Sequence, residues 1–230
     1  MKLEIGPSTG VPASFVERIA AIRAQIADVA RAAGRDPASV RLLGVGKKQP
    51  RESVFAAVAA GLDEVGENYV QEAQPKLAGL PPHVRKHFIG HVQTNKAKAI
   101  VETFDVVQSV DRLEAGLALV KAGRNLGRSV TALVQVNISP SERFGVAPAA
   151  AEGLASSLRE AGLVVDGVMA IGPLTNDRTE VRRAFERAYD AFGRVGGTTL
   201  SLGMSGDFRE AIACGSTMIR IGTALFGARA

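Results

Sequence analysis

The strongest constraint in this sequence is an alternation. Eight short runs rich in Val, Ile and Leu fall at residues 40–45, 63–65, 87–89, 105–107, 130–136, 165–171, 199–202 and 217–221. Stretches with helical spacing of apolar residues lie between them, for example 52–60, 112–126, 149–161 and 179–195. Strand runs separated by helix-length segments mark βα units and a parallel sheet. Eight such units are the number that closes a parallel barrel. The reading is therefore an α/β chain forming a single (β/α)8 TIM barrel, one domain over 1–230 with the barrel at about 40–227. A doubly wound open sheet is the alternative. Its dinucleotide fingerprint is missing, because the first strand runs into Gly46-Lys47-Lys48-Gln49-Pro50 and not into G-x-G-x-x-G.

An extra N-terminal helix, about 14–33, precedes the barrel. Ser14 and Glu17 are spaced as a capping box, in which each side chain bonds the other's free backbone N–H. Val16, Ile19, Ile22, Ile26 and Val29 are expected on one face, and Gly34 is placed to end the helix. Gly61, Gly127 and Gly162 sit where three later helices would stop.

A chain of 230 residues suffices for one such barrel, and with 5% aromatics and no Trp its core must be aliphatic. The lone cysteine, Cys214, excludes an internal disulfide and fits a reducing compartment. It stands among small residues without a neighbouring His, so it reads as a buried structural thiol and not as a nucleophile. Met1-Lys2-Leu3-Glu4 leads into Gly and Pro and not into an apolar leader, and no run approaches the roughly 18 apolar residues of a membrane span. A cytoplasmic protein with no membrane partner is expected. The net charge of +5 is spread among acidic residues, with no basic run and no aromatic stacking platform, so no nucleic-acid role is expected.

Chemistry in a parallel barrel sits where strands end. Gly46-Lys47 follows the first run, Gly66-Glu67-Asn68-Tyr69 the second, and Gly90-His91-Val92-Gln93-Thr94-Asn95-Lys96 the third. Ser109 and Asp111 follow the fourth, Asn137 closes the fifth, and Gly172 follows the sixth. The last two end in Met204-Ser205-Gly206-Asp207 and, after Arg220, in Gly222-Thr223. These last loops pair a glycine with a hydroxyl, which suits an anion such as phosphate but equally suits an ordinary turn. Lys47 adjoins the apolar run Leu42-Leu43-Gly44-Val45, where desolvation would free its amine to attack an aldehyde. A snorkelling lysine is the plainer alternative. Strand alternation would turn only one of Lys47 and Lys48 to the barrel mouth.

Leu42-Leu43-Gly44-Val45-Gly46-Lys47-Lys48-Gln49-Pro50 resembles the cofactor-lysine segment of the pyridoxal phosphate homeostasis protein family. Gly66-Glu67-Asn68-Tyr69-Val70-Gln71-Glu72, Phe88-Ile89-Gly90-His91 and Leu200-Ser201-Leu202-Gly203-Met204-Ser205 are similar to further family segments, as is Arg220-Ile221-Gly222-Thr223. The resemblance implies a barrel like the N-terminal domain of alanine racemase, with pyridoxal 5′-phosphate (PLP) as cofactor in a Schiff base on Lys47. It implies Ser205, Gly222 and Thr223 near the phosphate, Arg220 facing the pyridine nitrogen, and Asn68 and Met204 lining the pocket. A cation opposite that nitrogen cannot protonate it, so the ring would be a poor electron sink. In the racemases a further domain supplies a second acid/base. This sequence stops at Ala230, just past the eighth run, so no such group is expected. The implied protein is a monomeric carrier or buffer of PLP that serves apo-enzymes, without robust catalysis.

Four positions depart from the family pattern: Gly46 where Ser is common, Lys48-Gln49, Glu142-Arg143-Phe144-Gly145, and Gly206 where an acidic residue is usual. The alternative function is a small PLP-dependent racemase or decarboxylase using Lys47 with Tyr69 or His91. A phosphate-sugar barrel without covalent chemistry would share the loops. His83, His87 and His91 have the spacing of a helical metal site, but 88–90 reads as strand, so no metal is expected.

Overall fold

The computed structural model describes residues 14–139 and 144–227. Met1, Lys2, Leu3 and Glu4, and the Glu142-Arg143 part of the departing loop, lie outside the described residues. Eight parallel strands close on themselves in sequence order. They are β1 (Arg41–Val45), β2 (Glu64–Glu67), β3 (Arg85–Phe88), β4 (Val106–Val110), β5 (Thr131–Val136), β6 (Val164–Ala170), β7 (Thr199–Ser201) and β8 (Met218–Ile221). Closure is made by β8 against β1, with Leu43 opposite Arg220 and Gly44 opposite Ile221.

Helix α1 (Phe15–Ala32) precedes the barrel. After the successive strands come α2 (Arg51–Ala59), α3 (Val70–Leu77), α4 (Ala97–Thr103), α5 (Leu113–Leu126), α6 (Ala151–Glu160), α7 (Arg178–Val195), α8 (Phe208–Ala213) and α9 (Thr223–Phe226). The capping box of α1 is present: Ser14 N–H donates to Glu17 Oε2 at 2.7 Å, and Glu17 N–H to Ser14 Oγ at 3.3 Å. Ile19, Ile22, Ile26 and Val29 are buried as expected, but Val16 is 61% exposed. At 3.6 residues per turn, Val16 lies about 100° from the centre of the stripe formed by the other four. Phe15 replaces it, edge-on to Phe226 of α9 with ring centroids 5.9 Å apart.

The strand pleat sorts the core into two layers. Outward residues such as Leu42, Val65, Val107, Val134, Leu200 and Ile219 join the helix faces in one apolar cluster. Leu43, Val106, Leu133, Met169 and Met218 are buried outside that cluster and face the barrel axis. They share the axis with Glu64, His87, Gln108, Gln135, Ser201 and Arg220, all buried. The expectation of wholly apolar strand runs below one polar rim is thus corrected: the barrel interior mixes apolar and polar side chains. Glu67 and Ser109, expected just beyond their strands, are buried within β2 and β4. Cys214 is half-buried at the end of α8, not in the core, and burial together with nearby Glu186 pushes its thiol pKa up.

Candidate functional site

Six of the seven expected binding residues sit on one arc of the C-terminal rim, contributed by the adjacent strands β7, β8, β1 and β2. Lys47 occupies the turn after β1 and is half-buried. Asn68 directly follows β2, Met204 and Ser205 lie between β7 and α8, and Gly222 and Thr223 open α9. The seventh, Arg220, lies deeper, within β8 and only 4% exposed.

Strand alternation is not what separates Lys47 from Lys48, because both stand in the turn that follows β1. Lys48 is exposed and adopts φ +59°, the left-handed region, which reverses the chain there. The peptide before Lys47 is held on both sides. Gly46 N–H donates to Gly66 O at 2.9 Å, while Gly46 O accepts from Gln49 N–H and from Lys76 Nζ, each at 3.0 Å. Lys76 reaches it from α3 and pairs at 2.9 Å with Glu67, whose side chain is fully buried. Burial raises the Glu67 pKa, against the opposing pull of Lys76 and of Lys47. A Cβ on Gly46 would fall 2.9 Å from Glu67 Oε1, so glycine here leaves the carboxylate its place.

Arg220 is a cation held in the barrel by three strong bonds. One terminal nitrogen donates to Ser201 O and Ser201 Oγ, both at 2.7 Å, and the other to Ala170 O at 2.7 Å. Burial pushes its pKa down to about 10, and the nearby Asp207 carboxylate opposes that shift. Asp207 accepts from Met204 N–H at 2.6 Å and so shapes the loop that carries Met204 and Ser205. Burial lifts the Asp207 pKa above its ordinary value.

Asn68 Oδ1 is buried with no hydrogen-bond partner among the described residues. An orphaned acceptor beside a held lysine turn fits a ligand that brings its own donor. The hydroxyls of Ser205 and Thr223 and the backbone at Gly222 flank the same arc. This donor set suits a phosphorylated aldehyde: an amine, hydroxyls at the two last strand ends, and a cation beneath. At Gly206 a Cβ would meet nothing within 4 Å, so the departure there removes no packing.

The remaining candidates do not join this arc. Tyr69 is half-exposed at the start of α3, and His91 stacks on Phe144 with ring centroids 3.9 Å apart. His87 lies inside the barrel. Among the described residues no three His, Cys, Asp or Glu side chains are grouped to hold a metal ion. No helix among them is long and apolar enough to cross a membrane. Sequence reasoning missed Lys76 and Gln108, and placed Glu67 and Asp207 in the rim segments without giving either a role. A signal was available for Gln108: a large amide in the middle of an apolar run needs a buried partner.

Barrel, rim arc and buried arginine define a class, the alanine racemase N-terminal-domain barrels, and the model of that family matches residues 18–230. The chain belongs within it to the pyridoxal phosphate homeostasis protein family. It is 43% identical to the Pseudomonas aeruginosa protein of that name, over 94% of this chain and 96% of that one. Identity to the protein of the same name from Escherichia coli K12 is 36%, over 94% and 97%. PipY of Synechococcus elongatus PCC7942, solved with PLP bound, superposes with a TM-score of 0.81 at 35% identity, covering 93% of this chain and all of that one.

Proposed function

We propose that this protein binds PLP covalently through the Lys47 amine and serves intracellular PLP homeostasis, carrying or buffering the cofactor without robust catalysis of its own. The observation that carries this reading is the rim arc itself, in a chain 35% identical to a protein solved with PLP bound. The chain acts as one cofactor-binding domain over 1–230, with its barrel at about 40–227, monomeric and cytoplasmic, with apo-enzymes that need PLP as recipients.

Each residue has a physical task. Lys76 and Gln49 fix the Gly46 carbonyl, and with it the start of the Lys47 side chain. Ser205, Thr223 and the backbone at Gly222 donate to the phosphate. Asn68 supplies an acceptor, and Met204 covers the ring. Arg220 faces the pyridine nitrogen as a cation that has no proton to give it, which disfavours carbanion chemistry on the bound ring. PLP, when bound, supplies a reactive aldehyde in protected form.

The test is reduction of PLP-loaded protein with borohydride, followed by peptide mass analysis. A stable adduct on Lys47 is expected, absent in Lys47→Ala. Wild-type protein that gives no adduct overturns the reading. Amino-acid turnover by the loaded protein, lost in Lys47→Ala and reduced in Tyr69→Phe or His91→Gln, would favour the racemase or decarboxylase alternative.

A further inference from the structure

A chain of hydrogen bonds runs down the inside of the barrel from Arg220 to His87, and His87 in turn lies against Glu64. Arg220 donates to Ser201 Oγ at 2.7 Å, and Ser201 Oγ donates to Gln108 Oε1 at 2.7 Å. Gln108 Nε2 lies 2.9 Å from His87 Nδ1. His87 Nε2 then lies 2.8 Å from Glu64 Oε2, a close charge contact without the alignment of a hydrogen bond. Arg41 completes the lower end, with one nitrogen 3.0 Å from Glu64 Oε1 and the other donating to Thr199 Oγ1 at 2.7 Å. Six strands contribute: β8, β7, β4, β3, β2 and β1.

The direction of this chain is forced. A guanidinium has donors only, so Ser201 Oγ accepts from Arg220 and has its one proton left for Gln108. With the Gln108 oxygen thus engaged, its amide nitrogen faces two acceptors, His87 Nδ1 and, at 3.1 Å, Met218 Sδ. His87 Nδ1 must then be bare, and the ring proton sits on Nε2, toward the Glu64 carboxylate. From Arg220 to Gln108 each donor points down the axis, while at the floor Arg41 donates in the opposite sense to Glu64 Oε1. Turning any one link around leaves two donors or two acceptors face to face in a buried site.

We propose that Ser201, Gln108 and His87 are positioning residues that fix the Arg220 guanidinium at the mouth, so that the inside of the barrel sets how Arg220 meets the bound cofactor. This inference rests on the PLP reading. The Ser201 hydroxyl is a fixed acceptor for Arg220 only while Gln108 takes its proton. Once Gln108 is removed, the hydroxyl rotates and the guanidinium loses one of its three anchors. The charged groups around the chain are Arg41, Glu64 and Arg85 below and Asp207 above.

Two measurements test it. Titration of PLP into wild-type, Ser201→Ala and Gln108→Met protein, read by the visible band of the bound cofactor, gives affinity and band position together. Both variants are expected to bind about tenfold more weakly with a displaced band, the scale of one lost bond to a charged group, and Ser201→Thr should recover the wild-type band. Variants that form the Lys47 adduct with wild-type affinity and an unmoved band overturn the proposal. The second measurement uses wild-type protein without cofactor and reads the His87 ring nitrogens by 15N NMR. A neutral ring protonated on Nε2 is expected at about pH 8; the opposite tautomer, or a cation there, overturns the chain. Absence of the Lys47 adduct in wild-type protein would sink the PLP reading while leaving the imidazole result to stand by itself.

Discussion

At the residue scale, burial decides what the titratable groups do. His87 loses its charge readily because burial disfavours the cation more than Glu64 favours it, so its pKa lies below 6.5. The unfolded chain therefore binds more protons than the folded one as pH falls through 6.5, and stability falls with it. Glu64 acts in the same sense. Burial would raise its pKa, but His87 and Arg41 outweigh that and hold it below 4.5. Its contribution is present above that value and lost as acid protonates it. His87→Gln should flatten the acid limb of a denaturation-against-pH profile by up to about 1.4 kcal/mol per pH unit just below 6.5. The Glu67–Lys76 pair gives a second expectation. Lys76→Met strands a buried carboxylate and should cost about 3 kcal/mol in urea unfolding at neutral pH, with a smaller loss at about pH 4, where Glu67 can protonate.

At the element scale, the eight strands and the longer helices were legible because their periods differ, and the resemblance fixed the order of the loops. Strand ends were less legible. Glu67 and Ser109 carry polar side chains, which read as rim until the partners that bury them are known: Lys76 from α3 for Glu67, and the Gly90 carbonyl for Ser109. Val16 failed for a geometric reason, since an apolar residue near a helix start need not share the angle of the stripe behind it. Close approach between loops yields another test. A Cβ on Gly90 would lie 1.9 Å from Asn68 O, so Gly90→Ala must push the β2–α3 turn aside. PLP affinity is expected to drop several-fold in a calorimetric titration, while the circular dichroism of the barrel stays that of the wild type.

At the scale of the whole molecule, the site residues come from loops after β1, β2, β7 and β8, which are far apart in the chain and joined only by closure between β8 and β1. A ligand bound across that seam stabilises the folded barrel by mass action, about 2.7 kcal/mol at a hundredfold excess over its dissociation constant. The melting temperature should therefore climb with added PLP, and Lys47→Ala should lose most of the gain. The order of the rim segments along the chain was legible from the motifs. The polar axis was not, because its links lie on six different strands and each looks like an isolated exception to an apolar run.

The clasp between α1 and α9 has a consequence for biosynthesis. Phe15 rests on Phe226 and Arg18 donates to Leu225 O at 3.3 Å, so the earliest helix grips the short helix that Gly222 and Thr223 begin. During translation, α1 waits for some 200 residues to emerge before its mate exists. The phosphate seat proposed at Gly222 and Thr223 is thus among the last parts to leave the ribosome, and on that reading a polypeptide stalled before β8 would have a lysine but nowhere to dock vitamin B6.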